Sequence, residues 1–214
     1  MMVQHLVVIG GGEHARVVIE TARSRPDLWS VDGFADPDPC EDTQKRLGVR
    51  WLGNDAAVLG RPGLMFVLGI GAVGVGDTRR AIVERYATAG ARFAALVHSA
   101  AWVSPTARVD HGAVVFAGAV VQSGAEIGAH AVVGTRAVIE HDVRLGAFAQ
   151  AGPGVVTGGG AKIGEGSYLG LGACVRDHVT IGDRAMIAMG AVVTADVAAG
   201  ATVLGVPARA RGDG

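Results

Sequence analysis

Residues 127–186 read, in groups of six, IGAHAV VGTRAV IEHDVR LGAFAQ AGPGVV TGGGAK IGEGSY LGLGAC VRDHVT IGDRAM. The frame runs without a break from Val103 to residue 198, sixteen hexads in all, and fourteen of the sixteen first positions are Val, Ile or Leu. The fifth position is small or aliphatic throughout, from Ala107 and Ala113 to Ala191 and Val197, and never charged. A helix with 3.6 residues per turn cannot hold a period of six on one face. Short strands joined by tight corners can. Each hexad then makes one flat side, with its first and fifth residues pointing inward. Three sides close a triangular coil of eighteen residues, and the stack is about 25 Å tall at roughly 4.8 Å per strand. Glycine fills the second slot of eight hexads, Gly128, Gly146, Gly164 and Gly182 among them, where the pattern predicts a sharp corner using its backbone freedom.

Composition agrees with a regular, glycine-punctuated interior of small side chains. The chain has 214 residues, 50% of them apolar, 34 glycines and only 5% aromatics. Nineteen Lys and Arg against twenty Asp and Glu leave a formal charge of −1 without long runs of either sign. Neither a nucleic-acid surface nor an anionic-membrane surface is indicated, and the partner is expected to be small. The apolar run Leu6–Ile9 is too short for a signal h-region or a membrane span, so the chain reads as cytoplasmic. Cys40 and Cys174 form no CxxC pair or disulfide framework and read as buried thiols of a reducing compartment.

Residues 1–98 lack the hexad and alternate strand and helix signals, as a small parallel α/β domain does. Strands are predicted at Leu6–Ile9, Ser30–Ala35, Leu64–Ile70 and Arg92–Val97. Helices are predicted from Glu13 to Arg25, before Pro26, and from a cap at Asp77 through Thr88 to a stop at Gly90. The first turn, GGGEHA at Gly10–Ala15, approximates the Gly-x-Gly-x-x-Gly/Ala loop that offers backbone N–H groups to a phosphate. Asp36, closing the second strand, stands where a carboxylate meets a ribose or base. Four strands are few for a dinucleotide fold, so a mononucleotide or nucleotide-sugar fits better than NAD. Residues 99–214 form the second domain.

Of four histidines on or near the repeat, His111, His130 and His178 read as solvated side chains. His141 is different. It is the third residue of its hexad, projecting outward near a flat face, in VIEHDVRLG between Glu140 and Asp142. A neutral imidazole oriented by a carboxylate is suited to remove a proton near neutral pH.

Taken together, Gly-Gly-Gly-x-His at Gly10–His14, the hexapeptide repeat, Ile-Glu-His-Asp at Ile139–Asp142 and Gly-Val-Pro-Ala-Arg at Gly205–Arg209 resemble the bacterial hexapeptide-repeat sugar acetyltransferases. These act on nucleotide-linked amino sugars or sialic acids, and the resemblance spans roughly residues 5–209. It implies an N-terminal Rossmann-like α/β domain at 1–98 that holds the nucleotide-sugar, and a C-terminal left-handed parallel β-helix of hexapeptide repeats. It implies homotrimers with acetyl-CoA in the groove between neighbouring prisms, and no metal. By this likeness His141 is the general base and Asp142 the carboxylate beside it. Gly10, Gly11, Gly12, His14, Asp36 and Gly71 contact the nucleotide-sugar. Gln150, Leu171, Gly172, Met189, Pro207 and Arg209 contact acetyl-CoA.

Three departures stand out. Gln150 occupies the place of a second histidine in many relatives. Gly134, Thr135 and Arg136 replace Asn-Thr-Gly. The loop AVGVGDTRR after Gly71 is long. The implied reaction is direct transfer of acetyl from acetyl-CoA to a sugar 4-amino group, with backbone N–H groups stabilising the oxyanion. A sialic acid hydroxyl is the alternative acceptor, and a non-catalytic nucleotide-sensing or scaffold trimer the alternative of another class. A zinc hydratase on the same solenoid needs three histidines around the metal, and Gly146 removes the His-x4-His pair. Arg-Gly-Asp at Arg211–Asp213 reads as a polar terminus.

Overall fold

The computed structural model describes residues 3–71 and 74–211. Residues 72 and 73 of the loop after Gly71, and residues 212–214 of the Arg-Gly-Asp tail, lie outside them. The chain separates into two compact units, one of residues 3–71 and 77–99 and the other of residues 74–76 and 100–211.

In the first unit the order is β1 (Gln4–Ile9), α1 (Glu13–Arg23), β2 (Trp29–Ala35), α2 (Glu41–Leu47), α3 (Asp55–Val58), β3 (Leu64–Leu68), α4 (Thr78–Thr88), β4 (Arg92–Phe93) and β5 (Leu96–Val97). The first four strands form a parallel sheet in the order β2-β1-β3-β4. Leu6, Val7, Val8 and Ile9 are all buried because β1 is central and covered on both faces, which explains an unbroken apolar run instead of an alternating one. Helix α1 buries Ala15, Val18, Ile19 and Ala22, an i, i+3, i+4, i+7 stripe.

Element ends differ from expectation for local reasons. Helix α1 stops at Arg23, two residues early, because Arg25 precedes Pro26 and its N–H already turns back to the Ala22 carbonyl at 3.0 Å. The expected strand Arg92–Val97 is two short pieces. Ala94 still donates to the Phe66 carbonyl, but Leu96–Val97 has left the four-stranded sheet. Helix α2 was not anticipated, although Glu41 and Asp42 lead it, Lys45 and Arg46 close it, and Gly48 follows at φ 55° in the left-handed position that ends a helix. Residues 50–53 run along the free edge of β2, with Phe34 N–H donating to Arg50 O, Leu52 N–H to Phe34 O and Asp36 N–H to Gly53 O, at 2.9–3.0 Å.

The second unit is the left-handed parallel β-helix. Its two-residue strands pair in parallel eighteen positions apart, Trp102 with Val120 and Val138 with Val156 for example. Three faces result. The first carries Val138–Ile139, Val156–Thr157 and Cys174–Val175, the second Arg144–Leu145 and Lys162–Ile163, and the third Val132–Val133, Gln150–Ala151, Tyr168–Leu169 and Met186–Ile187. From Val115 to Val193 every first-slot residue is buried, and so is every fifth-slot residue from Ala113 onward.

Two sequence expectations are corrected here. The corner that requires left-handed backbone is the fourth slot, not the second. It holds Gly112, Gly118, Gly154 and Gly172 at φ between 65° and 71°, and also His130, Arg136, Asp142, Phe148, His178 and Arg184 at 55° to 58°. Second-slot glycines answer a different need. A Cβ on Gly128 would stand 2.7 Å from the Ala147 nitrogen and 2.9 Å from the Leu145 oxygen, so the next coil's backbone leaves no room for a side chain. The thiols are also less enclosed than expected, Cys40 half-buried and Cys174 exposed, because Cys174 occupies an outward-pointing sixth slot.

Candidate active site

His141 stands at the turn that carries the chain from the first face to the second, between Val138–Ile139 and Arg144–Leu145, and not on a flat side. Its side chain is 57% exposed, and its Nδ1 lies 3.0 Å from Asp142 Oδ2. An ionised carboxylate only accepts, so Nδ1 carries the hydrogen and Nε2 keeps its lone pair. The backbone N–H of His141 donates to Glu140 Oε2 at 3.3 Å. The bond to Asp142, aided by the charges of Asp142 and Glu140, raises the imidazole pKa above the ordinary 6.5.

Two glycines that the sequence reading passed over hold this pair. Eighteen residues after His141 and one coil along the same edge, Gly159 faces Nε2 so closely that a Cβ would collide with the ring. Eighteen residues before Asp142, Gly124 leaves the same space for the carboxylate. Asp142 N–H donates to Ser123 O at 3.0 Å and Gly160 N–H to His141 O at 2.8 Å, so the dyad is tied into three successive rungs. The only hint in sequence was the triplet Gly158–Gly160.

The other histidines divide. His178 shares the His141 edge, where its Nδ1 would stand 2.6 Å from a Cβ on Gly160. His130, read as solvated, is 3% exposed. It stacks on Phe148 with centroids 5.0 Å apart, and meets His111 edge-on at 5.3 Å. It is a packing element of the second-to-third-face edge.

The residues expected at the acyl donor lie elsewhere on the coil. Leu171 and Gly172 turn from the third face to the first, and Met189 occupies the same edge one coil on. Leu171 is 50% and Met189 75% exposed, unusual for apolar side chains with an aliphatic core nearby. Arg136 lies on this edge too. Gln150 is 8% exposed on the third face, between Val132 and Tyr168. Pro207 and Arg209 are exposed, Arg209 in the strand Arg209–Ala210 that pairs antiparallel with Thr202–Leu204. Within one copy of the chain, therefore, His141 and the Leu171–Met189 pair occupy different edges of the prism.

In the first unit the glycine loop follows β1 and opens α1. Gly10 adopts φ 101°, and a Cβ on it would press Ile70 at 2.8 Å. Gly11 packs against Phe34 and the Cys40 sulfur. Gly12 has nothing within 4 Å of where a Cβ would be, so its bareness serves no contact within the described chain and leaves open space at the helix N-terminus. Gly11 N–H donates to Asp36 Oδ2 at 2.8 Å, and Asp38 N–H to Asp36 Oδ1 at 2.9 Å. Asp36 thus clamps the loop, and its carboxylate also meets the Cys40 thiol. His14 packs on Gly71, whose Cβ would stand 3.0 Å from the ring. Burial first, and then the charge of Arg79, lower the His14 pKa to about 4, so it is neutral at physiological pH. Arg79, in the first turn of α4, is itself 5% exposed, and burial lowers its pKa to about 10, so it remains a cation. Sequence reading gives Arg79 no role, because an arginine in the first turn of the helix predicted from Asp77 ordinarily points to solvent.

Comparison with known proteins bears on the family and the fold. The PglD N-terminal domain pattern matches residues 5–86, and the bacterial transferase hexapeptide pattern matches residues 160–195. The acetyltransferase domain of PglB from Neisseria gonorrhoeae, solved with acetyl coenzyme A, is 34% identical over 98% of this chain and 100% of its own, with a TM-score of 0.88. PerB of Caulobacter crescentus, a GDP-perosamine N-acetyltransferase solved with CoA and GDP-perosamine, is 34% identical over 99% of each chain, with a TM-score of 0.87. WeeI from Acinetobacter baumannii, 20% identical over 97% of this chain and all of its own, shares the fold with a TM-score of 0.68. A search of curated proteins gives no match.

Proposed function

The chain belongs to the hexapeptide-repeat sugar acetyltransferases, and from that premise we propose that it moves an acetyl group from acetyl-CoA to the 4-amino group of a nucleotide-linked amino-deoxy sugar. The observation that carries this reading is the His141–Asp142 dyad, an exposed imidazole held at Nδ1 by a carboxylate with Nε2 free to accept a proton. As the amine nitrogen bonds to the thioester carbonyl, Nε2 of His141 takes the proton. When the C–S bond breaks, the imidazolium returns that proton to the departing thiolate. No acyl-enzyme is needed, and neither cysteine is adjacent to His141 in sequence.

The first unit holds the nucleotide. Gly10–Gly12 offer backbone N–H groups to the diphosphate, Asp36 accepts from the ribose or base, and neutral His14 with Gly71 shapes the wall. Leu171, Gly172 and Met189 line the pantetheine arm, Gln150 donates to the cofactor in place of the second histidine, and Pro207 with Arg209 flanks the adenine end. Because Leu171 and Met189 lie on a different edge from His141, a complete site takes its base from one copy and its acyl-donor wall from the next, as a homotrimer provides.

The test is release of free CoA thiol from acetyl-CoA by wild type and His141→Ala, across nucleotide-linked 4-amino sugars and free sialic acid. Turnover of one amino sugar, reduced by about 10²–10⁴-fold in the variant, is the expected result. Turnover of sialic acid alone would reassign the acceptor, and no binding of acetyl-CoA would overturn the reading in favour of a scaffold.

A further inference from the structure

Trp51 is one of the few large apolar side chains the first unit leaves exposed, at 40%, in a chain with little aromatic content. Nearby along the chain, Val49 is buried, Arg50 is exposed and Leu52 packs against Gly33. The indole is not loose. Its Nε1–H donates to the Asp36 carbonyl at 2.9 Å, which fixes the ring beside the carboxyl end of β2 with its polar atom already satisfied. The same Asp36 holds the Gly11 N–H through its carboxylate. Glycine loop, acidic residue and indole are therefore one hydrogen-bonded cluster outside the carboxyl ends of β1 and β2, where open α/β sheets bind their ligands.

We propose that Trp51 is the platform on which the nucleobase of the acceptor substrate stacks. The inference rests on the reading that this unit binds a nucleotide-linked sugar, and it names the residue that grips the base. A diphosphate at the N-terminus of α1 and a ribose near Asp36 direct the base toward the indole. An aromatic face adds affinity for any base, because every base has a π face, and a bicyclic purine overlaps it more than a pyrimidine. The edge pairing with β2 is made by backbone groups of Arg50, Leu52 and Gly53, and the Trp51 side chain adds one bond, from its Nε1–H to the Asp36 carbonyl, which does not by itself call for an exposed ring.

Calorimetric titration of the full chain with GDP, UDP and dTDP, for wild type, Trp51→Phe and Trp51→Leu, tests the proposal, with thermal melting as the folding check. The expected result is that the nucleotide bound by wild type is bound at least about fivefold more weakly by Trp51→Leu, while Trp51→Phe, which keeps a ring, stays close to wild type. Binding by Trp51→Leu equal to wild type would overturn it. Equal losses in Trp51→Phe and Trp51→Leu would also overturn it, because the indole N–H and not the ring face would then be responsible. A folded wild type that binds none of the three would remove the nucleotide-sugar reading itself, and this inference with it.

Discussion

Nε2 of His141 rests over the bare Cα of Gly159, the residue one full coil further along the same edge of the β-helix. The nearest atoms to a Cβ at Gly159 all belong to the His141 ring, so Gly159→Ala displaces the imidazole without meeting backbone. The expected outcome is a fall in kcat of about 10- to 100-fold, within the range of a displaced general base, with KM for both substrates and the melting temperature little changed. Steady-state kinetics on a folded variant read this directly, and an unchanged kcat would show that the ring's position is not critical.

The pH profile tests the dyad. A base must be neutral to accept a proton, so kcat/KM falls as pH drops through the His141 pKa, and Asp142 raises that pKa above 6.5. Asp142→Asn removes the charge and weakens the bond, so the acid limb of the profile moves to lower pH while the plateau drops through lost orientation. A limb that stays in place would assign the titration to another group.

Much of this was legible in sequence because the period of six is a direct image of the coil. Val, Ile and Leu at the first slot and Ala at the fifth are what a narrow triangular interior admits, and neither assignment needed correcting from Val115 onward. Where the reading failed, the cause lies in contacts eighteen residues apart. Gly128 is small because of Ala147, Gly159 because of His141, and the burial of His130 follows from Phe148 one coil later. A linear scan sees the hexad and not the neighbour in the next coil. Arg79 was hidden for a different reason. An arginine at the start of a helix ordinarily points to solvent, and only the folded unit shows it 5% exposed with its charge felt at His14.

The two kinds of glycine give separable stability costs. Gly128→Ala places a methyl group 2.7 Å from backbone that cannot yield, an overpacking cost of about 1–3 kcal/mol. Gly172→Ala meets nothing within 4 Å but must hold φ 65°, at about 1–2 kcal/mol. Denaturant unfolding should show both variants destabilised. Reverting the corner of Gly172 with Asn, which tolerates left-handed backbone, should recover part of the loss at 172, while no side chain at 128 recovers any.

Edge placement makes the oligomer itself testable. His141 occupies the turn from the first face to the second, whereas Leu171 and Met189 occupy the turn from the third to the first, so one prism cannot bring them together. His141→Ala abolishes the base. Leu171→Asp with Met189→Asp puts two carboxylates on a surface proposed to lie along an apolar arm, and is expected to raise KM for acetyl-CoA at least tenfold, by roughly 1.4 kcal/mol or more. If sites form between copies, co-expressing the two defective chains restores activity, because some interfaces pair an intact His141 with an intact Leu171 and Met189. Random assembly in equal amounts gives about one competent site in four. A mixture no more active than its two components would place the whole site within a single chain, and would require the acyl donor to leave the Leu171–Met189 edge for one that His141 can reach.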